Sequence, residues 1–439
     1  MAEHARPSGR TRAAAAGLTL ALSMALSGCI SGGQGGEAPA QSGDAHSGEV
    51  EWWTINMQKN YGDYVNGMIE TYEAQHPDVS ITWVDVPGQD ITTKLLASIA
   101  SGSVPDAVNF TSTVTGLFDD SMADLDGFFT AEELGAYAPG LVTPLEDEQG
   151  RQIAIPWYNG GTSLAFYNSE LLAAAGFDPA APPTTYEDAL ELAGSYHDTT
   201  GEHATNFMAY SDIVQAHDVP LLSEDGRSAV FNTDETVALL ESFKSYFDSG
   251  VIAPGSLSSD QRNLPQSLEN RQIAFDPAST SSTLLNIEKN APAVYEDIVV
   301  APPVAGPSGA YYMPGQQIFG IPARSDNQAA AAEWLKFVTS ATNQLELCKL
   351  VAIYPSTTAT LEDPFFTDIA DDSPAGQARR VLRDTFPNSV DASLGSGNDE
   401  QLRLLFDEQV RAYMAGEKSV RDALAAAETS WNDALAKGQ

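Results

Sequence analysis

Strand and helix patterns alternate along the first part of this chain, and this alternation constrains the fold most strongly. Residues 50–55 and 81–86 are rich in strand-forming side chains. Apolar residues recur at helical spacing between them, over 65–72, and again over 91–99. Such alternation predicts an α/β fold in which helices cover a parallel sheet. Ligands of such sheets bind beyond the carboxyl ends of the strands.

The N-terminus has the features of an export signal. A basic start is followed by an apolar run over 13–26, shorter than the roughly 20 residues that a membrane-spanning helix needs. Leu-Ser-Gly then precedes Cys29, which is typical of a bacterial lipoprotein box; a secretory signal with a coincidental cysteine is the alternative. We expect a signal peptide over 1–28, a lipid anchor on Cys29 and a flexible tether over 29–48. The protein would then be held on the extracytoplasmic face of the cell membrane.

The composition favours two globular domains and excludes several partners. A chain of 439 residues is too long for one ordinary domain. The net charge of −38 repels phosphate backbones and anionic lipid head groups, so it excludes nucleic acid and disfavours phosphate-bearing ligands. Cys348 has no partner for a disulfide once Cys29 is modified, and its apolar helical surroundings predict a buried thiol.

Sequence motifs of enzymes and metal sites are absent. The chain contains no His-Glu-x-x-His, no Cys-x-x-Cys and no Gly-x-Ser-x-Gly. A partial match to a calcium loop over 122–133 begins with Met122, whose side chain has no oxygen ligand to offer. We therefore expect no catalysis, no cofactor and no metal. An extracellular glycosidase or lyase stays open as an alternative, because the many carboxylates could supply a catalytic pair.

Short motifs along the rest of the chain follow one another in a characteristic order. They are His-Pro-Asp-Val at 76–79, Phe-Tyr-Asn-Ser-Glu-Leu-Leu at 166–172, Asn-Arg-Gln-Ile-Ala-Phe at 270–275 and Ala-Ala-Glu-Trp-Leu-Lys-Phe-Val at 331–338. This order resembles the family 1 extracellular solute-binding proteins, which are sugar-binding components of ABC importers related to maltose-binding protein. The resemblance covers about residues 49–435.

The resemblance implies a type II-like periplasmic-binding-protein fold. Each of its two α/β lobes would have a mainly parallel sheet flanked by helices, with the ligand in the cleft between the lobes. We assign 49–156 plus 300–359 to lobe 1, and 157–299 plus 360–439 to lobe 2. The implied function is capture of a neutral sugar or oligosaccharide by hinge closure and its delivery to permease subunits, by a protein expected to be a monomer. The negative charge leaves open a receptor for a cationic solute.

Aromatic, amide and carboxylate side chains near strand ends are the candidate sugar contacts. Aromatic rings pack on the C–H faces of a sugar, and planar polar groups bind its hydroxyls. The segment 157–159 is the leading candidate, with packing at the hinge as its alternative. The family usually has a glycine and a tryptophan just after the segment that matches 273–275, and this chain has Asp276 there. Asp276 could accept hydrogen bonds from sugar hydroxyls, or it could cap a helix. The candidates are Trp53, Gln58, Asn109, Phe110, Trp157, Tyr158, Asn159, Tyr210, Asp276, Tyr312, Gln316 and Tyr354.

Four of these candidates come with a local expectation. Alternation along a strand places Trp52 and Trp53 on opposite faces, one in the core and one near the cleft. Gln58 lies in the loop that follows and could simply be solvated. Tyr210 is expected to end a strand of lobe 2. Tyr354 could equally be an aromatic side chain packed in a loop.

Overall fold

A computed structural model describes most of the folded chain. It covers residues 44–436, with the exception of 148, 161, 208, 224, 259–262, 314, 352 and 397. The expected signal peptide over 1–28, the lipidation site Cys29 and most of the tether lie outside the described residues. Among the helices described, none combines the length and the apolar character needed to cross a bilayer.

The strands of the described residues form three separate sheets. The β-rich segment near residue 50 forms the first strand, which starts at Gly48. The strands are β1 (Gly48–Ile55), β2 (Val79–Val86), β3 (Ala107–Thr111), β4 (Ile155–Asn159), β5 (Thr162–Asn168), β6 (Phe275–Thr280), β7 (Ile298–Ala301), β8 (Tyr311–Met313), β9 (Gln317–Gly320), β10 (Tyr354–Pro355) and β11 (Ser389–Asp391).

The first sheet is mixed rather than mainly parallel. Its order is β10-β4-β9-β3-β1-β2. The pairs β1·β2 and β1·β3 are parallel, while β9 runs antiparallel to both β3 and β4. The reason is the direction from which the chain returns, because Gln317 enters β9 beside Thr111 at the carboxyl end of β3. The second sheet, β6-β5-β7, is antiparallel, and β8 pairs with β11 in parallel.

Helices surround these sheets, with short 3₁₀ turns between them. They are α1 (Gln58–Gln75), α2 (Ile91–Ser101), α3 (Ala131–Leu134), α4 (Pro139–Val142), α5 (Ser169–Leu172), α6 (Tyr186–Thr200), α7 (Tyr210–Ala216), α8 (Asp234–Asp248), α9 (Asn263–Glu269), α10 (Ser281–Asn290), α11 (Pro292–Tyr295), α12 (Gln328–Val338), α13 (Ala341–Leu350), α14 (Pro364–Thr367), α15 (Pro374–Thr385), α16 (Asp399–Met414) and α17 (Val420–Leu435).

Helix ends follow local capping chemistry. Thr130 accepts the N–H of Glu133, whose carboxylate accepts the N–H of Thr130, so α3 begins with a complete capping box. Thr185 caps α6 by accepting the N–H of Asp188. Helix α2 ends at Gly102, which adopts the left-handed conformation with φ of 78°. These interactions fix where the helices begin and end.

In the part of the chain that the structure describes, three clusters of buried apolar residues hold the elements together. The first core lies around β1, β4, β9 and α12, and it extends to β7 and α15. The second core joins β5 and β6 to α6, α7, α16 and α17. The third lies on the other face of β1 and β3, against α2. Strand β5 shows the expected two-residue period, because Leu164 and Phe166 enter the first core while Ala165 and Tyr167 enter the second.

The chain passes between the two larger sheets in both directions. It leaves the first sheet at the end of β4 and enters the second at β5 after only two residues. It returns from β7 to β9 through residues 302–316, and α15 later packs against β7. The first two passages lie near the boundaries expected at 156 and 299. The division into lobes at 156, 299 and 359 stays a prediction.

Candidate functional site

A cavity of about 410 Å³ lies beside the second sheet. Its walls come from the start of α6, from α7 and the loop before it, from β6 and the start of α10, and from the returning segment 303–312. The described lining residues are Tyr186, Asn206, Phe207, Ala209, Asp212, Ile213, Ala216, Pro265, Asp276, Pro277, Ala278, Ser279, Thr280, Ser282, Thr283, Pro303, Val304, Ala310, Tyr311 and Tyr312.

Asp276 is the central polar group of this cavity. It is the second residue of β6 and is only 3% exposed. Its Oδ1 accepts the N–H of Ala278 at 3.2 Å, whereas its buried Oδ2 has no hydrogen-bond partner. Burial raises the pKa of Asp276 to about 6, and the nearby Ser279 hydroxyl and the Ala278 N–H oppose that rise. An unpaired buried oxygen is costly, so this atom is suited to accept a hydrogen bond from a ligand.

A second carboxylate, Asp212, reaches the cavity from α7. The guanidinium of Arg403 donates to Asp212 Oδ1 at 2.6 Å and to Asp399 Oδ1 at 2.8 Å. It also donates to the side chain of Gln215 at 2.9 Å and to the carbonyl of Ala392. Burial raises the pKa of Asp212, and Arg403 counteracts this. The charge of Asp212 therefore has a fixed partner behind the cavity wall.

Aromatic rings form the remaining walls. Tyr186 is 5% exposed, and its ring centroid lies 6.3 Å from that of Phe207. Burial raises the pKa of Tyr186, and the negative charges of Asp212 and Asp276 add to the rise. The half-buried Tyr312 donates its hydroxyl to Asp218 at 3.2 Å. The cavity thus combines flat rings with carboxylate and hydroxyl groups, which suits a ligand rich in hydroxyls.

The returning segment is fastened tightly to this site. Val304 N–H donates to the carbonyl of Pro277 at 3.0 Å, and Ala305 N–H donates to that of Thr184 at 3.0 Å. Gly306 allows close approach to the end of α7, because a Cβ added there would lie 1.7 Å from the Ala216 carbonyl oxygen. A residue with a side chain cannot occupy this position without moving the wall of the cavity.

Two of the twelve sequence-predicted residues line the cavity, Asp276 and Tyr312. Asp276 lies in a strand and caps no helix. The exposed Gln58 lines a different, wider cavity of about 650 Å³ between α1 and α13. Tyr210 is the first residue of α7 rather than the end of a strand, and its hydroxyl donates to the carbonyl of Ser256 at 3.1 Å within the second core.

The leading candidates around 157–159 are placed in or against the first core instead. Trp157 has no exposed surface, and its ring centroid lies 4.7 Å from that of Phe319. Tyr158 packs against the same core. The amide of the buried Asn159 donates to the carbonyl of Met313 at 3.4 Å. These contacts are packing contacts of the first core, and a hinge at this segment stays a prediction.

Two tryptophans and two strand-end residues are also buried. Trp52 lies in the first core and Trp53 in the third, as expected for opposite faces of β1, but both are at most 4% exposed. Phe110 belongs to the third core. The Asn109 side chain donates to the carbonyl of Ile318 at 3.0 Å on the neighbouring strand β9. None of the four lines the cavity.

Two candidates from the later part of the chain have structural partners. Gln316 is fully buried and donates its side-chain N–H to the carbonyl of Leu141 at 2.8 Å. Tyr354 is fully buried beside Phe386, and its hydroxyl forms a hydrogen bond with Thr385. Neither Gln316 nor Tyr354 is among the described residues that line the cavity.

Sequence reasoning did not select Tyr186, Asn206 and Phe207 as site residues. Tyr186 follows the helix cap Thr185 as the first residue of α6, and the capping motif itself carries no information about a ligand. Asn206 and Phe207 lie outside helices and strands, where periodicity gives no information. Asn206 is 5% exposed and its Oδ1 has no partner, a property that only the folded structure reveals.

The partial calcium loop has a structural explanation. The side chain of Asp124 accepts the N–H of Asp126 and caps a short 3₁₀ turn. Glu133 pairs with Lys336 at 2.9 Å in addition to its role in the capping box. Among the described residues, no group of three or more His, Cys, Asp or Glu side chains is arranged to hold a metal.

Comparison with known sequences and structures gives consistent matches. The family described as bacterial extracellular solute-binding protein matches residues 43–345 of this chain. The sn-glycerol-3-phosphate-binding periplasmic protein UgpB of Escherichia coli K12 is 22% identical over 420 residues, which is 88% of this chain and 92% of UgpB.

Two solved sugar-binding proteins share the fold. The cyclic alpha-maltosyl-1,6-maltose binding protein of Arthrobacter globiformis superposes with a TM-score of 0.76 at 22% identity, covering 89% of this chain and 99% of that protein. The sugar-binding protein MalE of Xanthomonas citri gives a TM-score of 0.75 at 17% identity, covering 89% and 98%. At these identities the likeness establishes the two-lobe α/β fold.

Proposed function

Because this chain belongs to the family of bacterial extracellular solute-binding proteins, we propose that it is the carbohydrate receptor of an ABC importer. It captures a sugar or oligosaccharide outside the cytoplasm and delivers it, chemically unchanged, to the permease subunits. The lobes close on the ligand about the strands that join them, and the ligand drives closure through its higher affinity for the closed state.

The cavity around Asp276 is the observation that carries this proposal. It offers an unpaired buried carboxylate oxygen, the hydroxyls of Thr280 and Ser282, and the rings of Tyr186 and Tyr312. Sugars need acceptors and donors for their hydroxyls and flat surfaces for their C–H faces. The structural likeness to the Arthrobacter and Xanthomonas sugar-binding proteins supports the same ligand class.

The charge of the cavity favours a sugar over a phosphorylated polyol. UgpB binds sn-glycerol 3-phosphate by name, and a phosphate group requires positive charge or several N–H donors. The described residues that line the present cavity include Asp212 and Asp276 but no lysine, arginine or histidine. A doubly negative phosphate would meet carboxylates there.

The membrane attachment is part of the proposal. The Leu-Ser-Gly sequence before Cys29 supports lipidation of that cysteine and a tether over 29–48. Replacing Cys29 with Ala should move the protein from the membrane fraction to the medium or periplasm while leaving its ligand affinity unchanged. Retention of the variant in the membrane fraction would contradict the anchor and not the receptor function.

A thermal-shift screen tests the receptor function. We expect at least one sugar of a panel of mono- and oligosaccharides to raise the melting temperature by several degrees, because a ligand that binds only the native state stabilises it. Glycerol 3-phosphate should have no effect. The ligand should be recovered unchanged after incubation, whereas release of a smaller product would favour the glycosidase alternative.

Matched variants locate the site. Tyr312→Ala removes a half-buried ring of the cavity and should weaken binding of the sugar at least tenfold. Gln58→Ala, at the other cavity, is the control and should leave the affinity unchanged. The receptor function is contradicted if no sugar shifts the melting temperature. The location of the site is contradicted if Gln58→Ala abolishes binding while Tyr312→Ala does not.

A further inference from the structure

We infer that the carbohydrate bound in this cavity carries a protonated amine, which Asp276 accepts as its counter-charge. This inference rests on the proposed carbohydrate receptor and narrows its ligand to amino sugars or amino cyclitols. A ligand of this kind is positively charged as well as rich in hydroxyls, and Asp276 is the residue that binds its charged group.

The first observation is the unpaired carboxylate oxygen of Asp276. The side chain is 97% buried, since the residue is only 3% exposed, and its Oδ2 has no hydrogen-bond partner. Asp276 is also one of the residues that line the cavity. A second buried atom of the lining, Asn206 Oδ1, is also an acceptor without a partner. Both of these unpaired lining atoms are acceptors, so a ligand that satisfies them must supply hydrogen-bond donors.

The second observation concerns charge balance. Asp212 is compensated by Arg403, whose guanidinium lies 2.6 Å from Asp212 Oδ1 and also contacts Asp399. Asp276 has no such partner in the cavity, because its described lining contains no cationic side chain. Removal of one partner from a buried ion pair is strongly destabilising. Without a bound cation, the ionised Asp276 is likewise a buried charge that lacks an ion-pair partner.

An ammonium group meets both demands, whereas a hydroxyl meets only one. A sugar hydroxyl can donate a single hydrogen bond to Asp276 Oδ2 but brings no positive charge. A protonated amine brings three donors and a charge, so it can bind Asp276 and still donate to another acceptor. Burial raises the pKa of Asp276 to about 6, which leaves the carboxylate mostly ionised at neutral pH. The strongly negative protein, at −38, attracts a cationic ligand from a distance.

The experiment compares matched sugars by calorimetry on the purified protein. Each set contains an amino sugar, its N-acetyl form and the parent sugar. Three sets are monosaccharides of the gluco, galacto and manno series. The fourth set is the glucosamine disaccharide with N,N′-diacetylchitobiose and cellobiose. Acetylation removes the charge while retaining the nitrogen. We expect the amine of at least one set to bind at least tenfold more tightly than its two neutral counterparts. Raising NaCl to 0.5 M should weaken the binding of that amine severalfold and leave neutral sugars unaffected.

The variant Asp276→Asn assigns the effect to one residue. It retains size and a carbonyl acceptor but loses the negative charge, and it should remove the tenfold preference for the amine over its parent sugar. If the variant does not fold, the salt response of the wild-type protein decides the question. Equal affinities for amine and parent, with no effect of salt, would overturn the charged ligand and leave the carbohydrate receptor standing. Binding of no sugar in any set would overturn both.

Discussion

Buried carboxylates are the unusual residues of this protein. Asp276 and Asp407 are each at most 5% exposed, and burial raises their pKa values to about 6 and about 7. Asp276 faces the cavity, whereas Asp407 lies behind it and accepts the N–H of Ser211 at 2.8 Å. Nearby Asp212 raises the pKa of Asp407 further, and Arg411 opposes this. The folded state is therefore more stable when these two carboxylates are protonated than when they are ionised.

Asp407 should therefore make stability depend on pH near neutrality. Its folded pKa is raised above the unfolded value, so its stabilising contribution is complete below about pH 4 and is lost as pH rises through about 7. We expect Asp407→Asn to increase the free energy of unfolding at pH 8 by roughly 2 kcal/mol, since one pKa unit corresponds to about 1.4 kcal/mol and part is lost with the charged hydrogen bond. The melting temperature of the variant and wild type at pH 4 to 8 measures this.

The comparison at low pH is the internal control. At pH 4 both side chains are uncharged, so the two proteins should melt at nearly the same temperature. An equal difference at pH 4 and pH 8 would show that Asp407→Asn acts through packing and not through charge.

Individual site residues were hard to predict because burial depends on distant parts of the chain. The nearby Gly160 and Gly161 favour a cleft position for Trp157 from sequence alone, but the structure places it in the middle of β4. Its neighbours in the fold are Trp52 and Phe319, which lie far away in sequence. Asp276 is a candidate because it stands at a point where this chain departs from the family pattern, and the structure places it in the wall of the cavity. Such a local difference is visible in sequence, whereas long-range packing is not.

At the scale of helices and strands, short-range chemistry was predictable and pairing was not. The caps of α3 and α6 form as expected, because an N-cap involves residues only three apart. The antiparallel entry of β9 between β3 and β4 depends on a chain that returns from the other sheet. No periodicity within 317–320 contains that information. The α/β class could therefore be predicted, and the mixed sheet could not.

The contact between the returning segment and α7 gives a prediction at this scale. Gly306→Ala places a Cβ against the backbone at Ala216, with no flexible side chain to yield. We expect a loss of stability of about 1–3 kcal/mol, as for overpacking of a close contact. Because Ala216 lines the cavity, sugar affinity should fall as well. Denaturant unfolding and calorimetry measure the two effects.

Gly67→Ala is the matched control for this substitution. Gly67 lies within α1, and no atom lies within 4 Å of a Cβ placed there. The change should leave ligand binding intact and stabilise the protein by about 0.5–1 kcal/mol, because alanine favours a helix over glycine. If both variants behave alike, the close approach at Gly306 has no structural importance.

At the scale of the whole molecule, the joined sheets predict a change of shape on binding. The chain runs between the first and second sheets through β4–β5 and through residues 302–316. The second of these connections also forms a wall of the cavity. A ligand that contacts this wall and β6 together can therefore favour one arrangement of the sheets over another.

Small-angle X-ray scattering should detect this change. We expect the radius of gyration to decrease when the protein is saturated with a sugar identified by the thermal-shift screen. Tyr312→Ala at the same sugar concentration should show no decrease, because binding is weakened. An unchanged radius of gyration in a wild-type sample that calorimetry shows to be saturated would contradict closure without contradicting binding.

The burial of Cys348 has a practical consequence. The thiol is 4% exposed, and burial raises its pKa to about 12, so very little thiolate forms at neutral pH. Thiol-reactive dyes should therefore not label Cys348 in the native protein. With Cys29 replaced, one new surface cysteine near the rim of the cavity could carry a fluorophore without competing label. The protein could then be converted into an optical sensor that reports its own ligand in real time.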